Sequence, residues 1–331
     1  MAQSQHPIIV LGAANVGDAK ADKLVKYDTP EEVKAFLDTF YERGGRHLDT
    51  SRNYSPGAPG SSEPRLAAAD AGSRFNIDTK VLGIPGSGPF HTARQIKESI
   101  DASVADLKLP EGAKIDIMYL HVPDRETPFE EACGAINEAH QQGKFKRFGL
   151  SNYTSDEVEK IVAICKDKGY VVPTVYQGQY NPLVRSGEDT LFPVLRKHNI
   201  AFYAYSPAAA GVFVGNQKTA QSGSRFDSSH HVGQLYAGFY SRPKVAIAAD
   251  HAKEVAAKHN INGHAAALRW TTFHSILDRA KGDAVIIGAS SVAQLSTNLD
   301  IIDQGPLPQE LAEVLDNVYG QLGDEAIEYH M

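Results

Sequence analysis

"KIDIMYLHVPDRETPFEEACGAINEAHQQGKFKRFGLSNY", residues 114–153, decides the fold. It opens on a short β-favouring run, passes through a helical pattern and closes on a second β-favouring run. Alternation of strand and helix in this way implies a parallel sheet, because a helix must carry the chain back to the starting edge.

The same unit returns along the whole chain. "PIIVLG" (7–12) precedes "TPEEVKAFLDTFYERGG", in which Thr29 is the expected N-cap, Pro30 takes the first helical position and Gly44–Gly45 end the helix. Val33, Phe36, Leu37 and Phe40 recur there at helical spacing. "RHLDTS" leads to "SEPRLAAADAG", "NIDTKVLG" to "TARQIKESIDASVADLKL", and "FKRFGLSNY" to "TSDEVEKIVAICKDKG". "PTVYQGQYN" leads to "SGEDTLFPVLRKHN", and "DAVIIGASS" to "SVAQLSTNLDII". "IAFYAYSPA" reaches its helix, "RPKVAIAADHAKEVAAKHN", only after a long interruption.

Eight such units in 331 residues predict an α/β fold of the closed (β/α)8 type, a TIM barrel. An open doubly wound sheet would carry a Gly-rich nucleotide turn after an early strand, and "LGAANVG" and "GIPGSGPFH" both lack the G-x-G-x-x-G spacing. The chain therefore reads as one barrel domain over residues 1–331. The stretch 207–242 is rich in Gly, Ser and Ala and shows no clear period. It follows strand seven, so it is expected as a long loop on the C-terminal face, where barrel active sites are built.

Composition narrows the function classes. Hydrophobic residues make up 42% and charged residues 22%, an ordinary balance for a water-exposed fold. The net charge of −7 is spread out, with no basic run or aromatic-basic stripe, which argues against nucleic acid as a partner. Cys133 and Cys165 fall in helical patterns and in no metal-type or redox-type pair, so they read as structural thiols in a reducing setting. The opening "MAQSQHPIIVLGAANVGD" has no basic leader segment, and no apolar stretch nears the roughly 18 residues of a membrane span. The expectation is a soluble, cytoplasmic protein.

In a barrel the strand C-termini converge on one face. Here they carry Asp49 with Tyr54 just beyond, Lys80, His121, Ser151–Asn152, Gln177, Tyr205–Ser206, and Gly288 to Ser291. Each has an ordinary explanation when taken alone. Asp49 suits a turn, Tyr54 suits a packed loop, and a lone lysine or histidine after a strand is usually a satisfied surface group. Taken together, Asp49, Tyr54, Lys80 and His121 have a chemical logic. A phenol with a pKa near ~10 is a weak acid at neutral pH. An adjacent ammonium favours the phenolate, and a carboxylate keeps that ammonium charged and aimed. Such a phenol can give its proton to a carbonyl oxygen as negative charge develops, while a histidine hydrogen-bonds the same oxygen. The remaining need is a hydride, which side chains cannot supply, so a nicotinamide cofactor is implied.

These residues resemble the aldo-keto reductases. The matching stretches are "HLDTSRNY", "DTKV", "YLHVPD", "GKFKRFGLSNYT", "VYQGQYNPL", "FYAYSP" and "IIGASSVAQLSTNLD", which cover nearly the whole chain in order. "YQGQYNPLVR" and "GASSVAQL" are most similar to the aflatoxin-aldehyde reductase group. The resemblance implies a catalytic tetrad of Asp49, Tyr54, Lys80 and His121, with Tyr54 as proton donor. It implies that Ser151, Asn152 and Gln177 hold the nicotinamide carboxamide, that Tyr205 stacks on the ring, and that Ser206 begins the pyrophosphate contacts. Gly288, Ser290 and Ser291, with Gln294 and Asn298, would hold the adenosine end.

Three departures refine this. "SPAAAGVFVG" replaces a leucine- and glycine-rich sequence, so the loop after strand seven is expected to differ in shape. "GASSVAQLSTN" has no cation for a 2′-phosphate, so Arg225 of "SGSRFD" is the candidate for that role. NADPH is the expected cofactor, with NADH as the alternative. The subgroup's late-loop and C-terminal arginines are absent from "QLYAGFYS" and "AIEYHM", which points away from small acidic aldehydes.

Phe226, His230, His231, Tyr236, Phe239 and Tyr240 make the 207–242 loop aromatic and histidine-rich. They either line a pocket for a bulky or aromatic carbonyl compound or form a small core of their own. In the first case Phe226 and Tyr236 join Tyr54 and His121 around the substrate. His230–His231 has no further ligand at metal spacing, so no metal is assigned. The sequence thus reads as a reductase of small carbonyl compounds, monomeric or homodimeric. The alternatives are a nicotinamide-binding regulatory subunit with little turnover and, ranked last, a metal-dependent hydrolase barrel.

Overall fold

The two ends of the chain close the sheet. Strand β1 (Ile8–Gly12) lies parallel to β8 (Ala284–Ile287), with Ile8 opposite Ala284 and Val10 opposite Ile286. In the computed structural model, which describes residues 6–331, the others follow in sequence order. They are β2 (His47–Asp49), β3 (Asn76–Val81), β4 (Ile115–Leu120), β5 (Phe145–Ser151), β6 (Pro173–Gln179) and β7 (Ala201–Tyr205). The result is a closed barrel in the order β1 to β8, as the eight repeated units predict. The opening residues 1–5, read above as free of a leader-like basic segment, lie outside the described residues.

The helices are α1 (Pro30–Glu42), α2 (Ser62–Ala68), α3 (Ala93–Leu107), α4 (Phe129–Gln141), α5 (Ser155–Lys168) and α6 (Leu191–Lys197). Then come α7 (Asn216–Thr219), α8 (His231–Tyr240), α9 (Pro243–Lys258), α10 (Gly263–Phe273), α11 (Val292–Asp303) and α12 (Gln309–Val318). Thr29 caps α1 as expected: its side chain accepts from Glu32 N, and the Glu32 carboxylate accepts from the Thr29 N–H. Thr92 with Gln95 and Thr154 with Glu157 repeat the device at α3 and α5. Each such cap contributes about 1 kcal/mol. Among the described residues, no helix is long and apolar enough to cross a membrane.

Alternation along the strands sorts the side chains into two cores. Leu11, Leu48, Ile77, Met118, Leu120, Tyr176 and Phe202 face outward into the layer shared with the helices. Val10, Ile117, Tyr119, Val175, Tyr203 and Ile286 form a separate cluster that fills the barrel. Gly149 belongs to the inner set because a Cβ there would stand 2.3 Å from the Tyr119 ring. The same period of two carries Asp49, Lys80, His121, Ser151, Gln177 and Tyr205 inward at the strand ends. The site is therefore a consequence of register.

The stretch 207–242 departs from the irregular loop the sequence suggests. It contains a 3-10 segment (Ala209–Val214), the short α7 and the ten-residue α8. His230, considered above for metal binding, is the N-cap of α8, its ring accepting from Gly233 N at 3.0 Å. Tyr240 ends α8 fully buried, and its hydroxyl receives Gln179 Nε2 at 2.7 Å and Asn181 Nδ2 at 3.0 Å. The far end of the segment is thereby fastened to the end of β6.

Candidate active site

The centre is an ion pair with almost no solvent contact. Lys80 Nζ donates to Asp49 Oδ1 at 2.8 Å and Oδ2 at 2.7 Å, and to the Thr50 carbonyl at 2.8 Å. Lys80 is wholly buried and Asp49 is 2% exposed. Gln177 Nε2 donates to the same Asp49 Oδ1 at 2.8 Å, so the carboxylate accepts three short hydrogen bonds from two donors. Burial is the largest single influence and would depress the lysine, but the Asp49 charge and hydrogen bonds, with the Tyr54 and Asp78 charges, together outweigh it and hold the ammonium above its ordinary range.

Tyr54 stands over this pair, its ring centre 5.0 Å from Lys80 Nζ and its edge against His121, with ring centres 6.0 Å apart. Burial pushes the phenol above its ordinary pKa, while the Lys80 charge pulls it down. The balance corrects the simple expectation of a phenol lowered by its lysine: lost hydration of a phenolate outweighs one ammonium already neutralised by Asp49. His121 is held well below its ordinary value, first by burial and then by the Lys80 and His91 charges, so its imidazole is neutral.

His121 Nδ1 lies 3.1 Å from Ser51 Oγ and 3.1 Å from Asn53 Oδ1. The Asn53 amide is itself fixed by Gly83, donating to its carbonyl at 2.6 Å and accepting its N–H at 3.1 Å. Neither Ser51 nor Asn53 features in the sequence reading, although both sit inside "DTSRNY". Their signal was two polar side chains flanking Arg52 where packed residues would serve a plain turn.

A cavity of about 1010 Å³ opens beside these groups. Asp49, Tyr54, His121, Ser151, Asn152 and Gln177 line one end. Tyr205, Ser206, Arg225, Phe226 and Tyr236 line its middle, and Gly288, Ser290, Gln294 and Asn298 the far end. Two predicted residues stand behind this wall. Lys80 acts from beneath Tyr54, and Ser291 caps α11, its Oγ accepting from Gln294 N at 3.1 Å.

Two wall residues take left-handed backbone conformations, Asn152 at φ 66° and Ser206 at φ 54°. Such conformations cost free energy and cluster at functional sites. Asn152 donates to the His121 carbonyl at 3.0 Å and accepts from Tyr205 OH at 2.9 Å, which locks β4, β5 and β7 together at the mouth. Ser206 Oγ and Tyr236 OH are 2.9 Å apart. Phe226 packs on both Tyr236 and Tyr240, so the loop aromatics line the cavity and also form a small core of their own.

The groove suits an elongated, phosphate-bearing ligand. A Cβ on Gly288 would meet nothing closer than the Gly12 carbonyl at 4.0 Å and would intrude on the groove. Arg225 lies across the middle, 3.4 Å from Asn15 Oδ1 and 5.8 Å from the Tyr236 ring centre, and makes no ion pair among the described residues. Asn15, Lys26 and His264 also line the groove and escaped the sequence reading. They come from the β1–α1 connection and the start of α10, regions without a strand-end signal. Among the described residues no group of metal-ligating side chains comes together.

Comparison with known proteins bears on the whole chain. The sequence model of the Aldo/keto reductase family matches residues 8–319. "Oxidoreductase sirO" of Leptosphaeria maculans is 37% identical over the full length of both chains. Human "Aldo-keto reductase family 7 member A3" is 33% identical over 98% of this chain and 97% of its own. Mouse "Aflatoxin B1 aldehyde reductase member 2" is 33% identical over 98% of this chain and 88% of its own.

Proposed function

The chain belongs to the aldo/keto reductase family of NAD(P)H-dependent oxidoreductases, which reduce carbonyl compounds, and on that premise we propose a specific reaction. It reduces a bulky or aromatic aldehyde or ketone to the alcohol with NADPH, and Tyr54 is the proton donor. The observation that carries this reading is the buried Lys80–Asp49 pair beneath a tyrosine that faces the cavity beside His121.

The bound cofactor supplies the hydride that reaches the carbonyl carbon. Ser151, Asn152 and Gln177 hold its amide end, and Tyr205 offers the ring face. Ser206 and Arg225 meet its phosphates, and Gly288, Ser290, Ser291, Gln294 and Asn298 form the adenosine end. Tyr54 gives its proton to the oxygen as charge builds there, and Lys80 stabilises the phenolate left behind. Asp49 keeps that lysine charged throughout.

Two cations on the groove wall, Arg225 and Lys26, support a phosphorylated ribose even though the turn before α11 has none. Ser290 N and Oγ both donate to Gln294 Oε1, at 2.6 and 2.9 Å, which leaves the Gln294 amide hydrogens for a ligand. Phe226 and Tyr236 favour an aromatic or otherwise bulky substrate, and the residue 207–242 segment covers it. The names of the aflatoxin B1 aldehyde reductases among the relatives point to the same substrate class. The deciding experiment follows NADPH oxidation with aromatic aldehydes in wild type and Tyr54→Phe. Turnover is expected only in the wild type, and equal rates would remove Tyr54 from the mechanism. Arg225→Ala is expected to weaken NADPH binding by about tenfold while NADH binding changes little.

A further inference from the structure

His264 lines the far end of the groove and is bonded there to Asn298. It is the second residue of α10, whose start is pressed onto the 3-10 segment Ala209–Val214: a Cβ on Gly263 would overlap the Phe213 carbonyl. Asn262 caps the helix, its side chain accepting from Ala265 N at 2.8 Å. The imidazole therefore projects into the groove from a fixed point.

Asn298 is fixed in turn. Its Nδ2 donates to the Gly288 carbonyl at 3.2 Å, which turns Oδ1 toward His264 Nε2 at 2.8 Å. An amide oxygen only accepts, so Nε2 carries the ring proton. Burial holds the imidazole below its ordinary pKa against the opposing pull of the Asn298 hydrogen bond, so the ring is neutral and Nδ1 is a bare acceptor. That nitrogen bonds to none of the described residues and is open to the groove. The second hydrogen of Asn298 Nδ2 is also unspent.

An acceptor beside a donor matches the amino edge of adenine, where the exocyclic amine donates and the neighbouring ring nitrogen accepts. Leu268 of α10, with Ala293 and Ile301 of α11, lines the groove as well and offers apolar surface to the faces of a purine. A base with an oxygen in place of the amine would set its lone pairs against those of Nδ1.

We propose that His264 is a cofactor-specificity residue: with Asn298 it reads the base of the dinucleotide, accepting from a 6-amino group and rejecting a 6-oxo group. The proposal rests on the reading of the groove as the nicotinamide-dinucleotide site. In it the adenine amine donates to His264 Nδ1, and the free Asn298 hydrogen goes to the adjacent ring nitrogen. The Nε2–H bond to Asn298 keeps both groups in register.

The test measures binding of NADP+ and of its hypoxanthine analogue, nicotinamide hypoxanthine dinucleotide phosphate, by calorimetric titration of wild type and His264→Ala. The wild type is expected to bind the adenine form at least about tenfold more tightly, the scale of one hydrogen bond lost and one mismatch gained. His264→Ala is expected to bind the two about equally. A general loss of packing would weaken both alike and leave their ratio in place.

Nitrogen-15 NMR of ring-labelled histidine, with His264 assigned by its loss in His264→Ala, reads the contact directly. A bare Nδ1 whose resonance moves with NADP+ and not with the analogue supports the proposal. A protonated Nδ1 in the wild type, equal binding of the two dinucleotides, or a preference unchanged in His264→Ala overturns it and leaves the dinucleotide reading standing. If neither dinucleotide binds the wild type, that reading fails and the proposal fails with it.

Discussion

Lys80 and Asp49 come from neighbouring strands and meet in a two-pronged ion pair, 2.8 and 2.7 Å, from which solvent is almost wholly excluded. Breaking one side of such a pair leaves an uncompensated charge in the barrel mouth. Lys80→Met should lower turnover by at least about 100-fold through loss of phenolate stabilisation. The same substitution should cost about 3–5 kcal/mol in urea unfolding, because Asp49 is stranded. Single-turnover rates and unfolding midpoints on one preparation separate the two effects.

The pH profile of reduction follows from the protonation states of two groups. As the proposed donor, Tyr54 must hold its proton, and burial keeps its pKa above the ordinary value, so kcat/KM should fall only as pH rises past ~10. His121 is held well below its ordinary value, so no break should appear near ~6.5. A decline centred near neutrality would show that Lys80 outweighs burial at the phenol.

Asp124 ties the β3–α3 and β4–α4 connections together. Burial opposes its ionisation, but the Thr127 hydroxyl and the N–H groups of His91, Phe90 and Glu126 override that and bring its pKa to about 2. A carboxyl depressed in the folded state stabilises above its unfolded pKa, and that stability is lost as pH falls through about 2. Asp124→Asn should therefore cost about 2 kcal/mol at neutral pH and lose its deficit near pH ~2. Urea midpoints at several pH values measure both.

Asp78 behaves in the opposite sense. It is fully buried inside the barrel, neither of its oxygens has a hydrogen-bond partner, and burial with the Asp116 and Asp49 charges pushes its carboxyl strongly up. The folded chain then binds more protons than the unfolded chain above pH ~4, and stability falls as pH rises from there toward the folded pKa. Asp78→Asn should flatten that slope, and its advantage over wild type should grow by up to roughly 1.4 kcal/mol per pH unit. Parallel midpoints across that range would mean that Asp78 is ionised or solvated.

The barrel was legible because each repeat carried its own signals: Thr29–Pro30 at one helix start, Gly44–Gly45 at its end, and strand runs of two-residue period. Asp49, Lys80, Ser151 and Gln177 could be found because their strands also fix which side chains turn inward. Helix α8 was not legible, since "HVGQLYAGFY" holds two glycines and its cap is a histidine rather than a serine or threonine. Asn53 was hidden for another reason. Its meaning depends on Gly83 and His121, 30 and 68 residues away, and only the folded chain brings those atoms together. The sign of the Tyr54 shift was equally unreadable, because it turns on burial, which local sequence does not report. Cys133 and Cys165 look unrelated in the sequence, yet both are buried and their thiols neighbour one another.

Tyr240 gives the residue 207–242 segment one end fastened to the sheet. Its hydroxyl is held by Gln179 and Asn181, so the end of α8 is anchored to the sheet, whereas residues between α7 and α8 are tied by Arg225, by Phe226 buried against Tyr236 and Tyr240, and by their own turns. Lengthening a flexible stretch costs only about 0.6 kcal/mol per doubling. Insertions and deletions between residues 220 and 230 can therefore accumulate over generations without endangering the barrel, while each one reshapes the wall that Phe226 and Arg225 present to the groove.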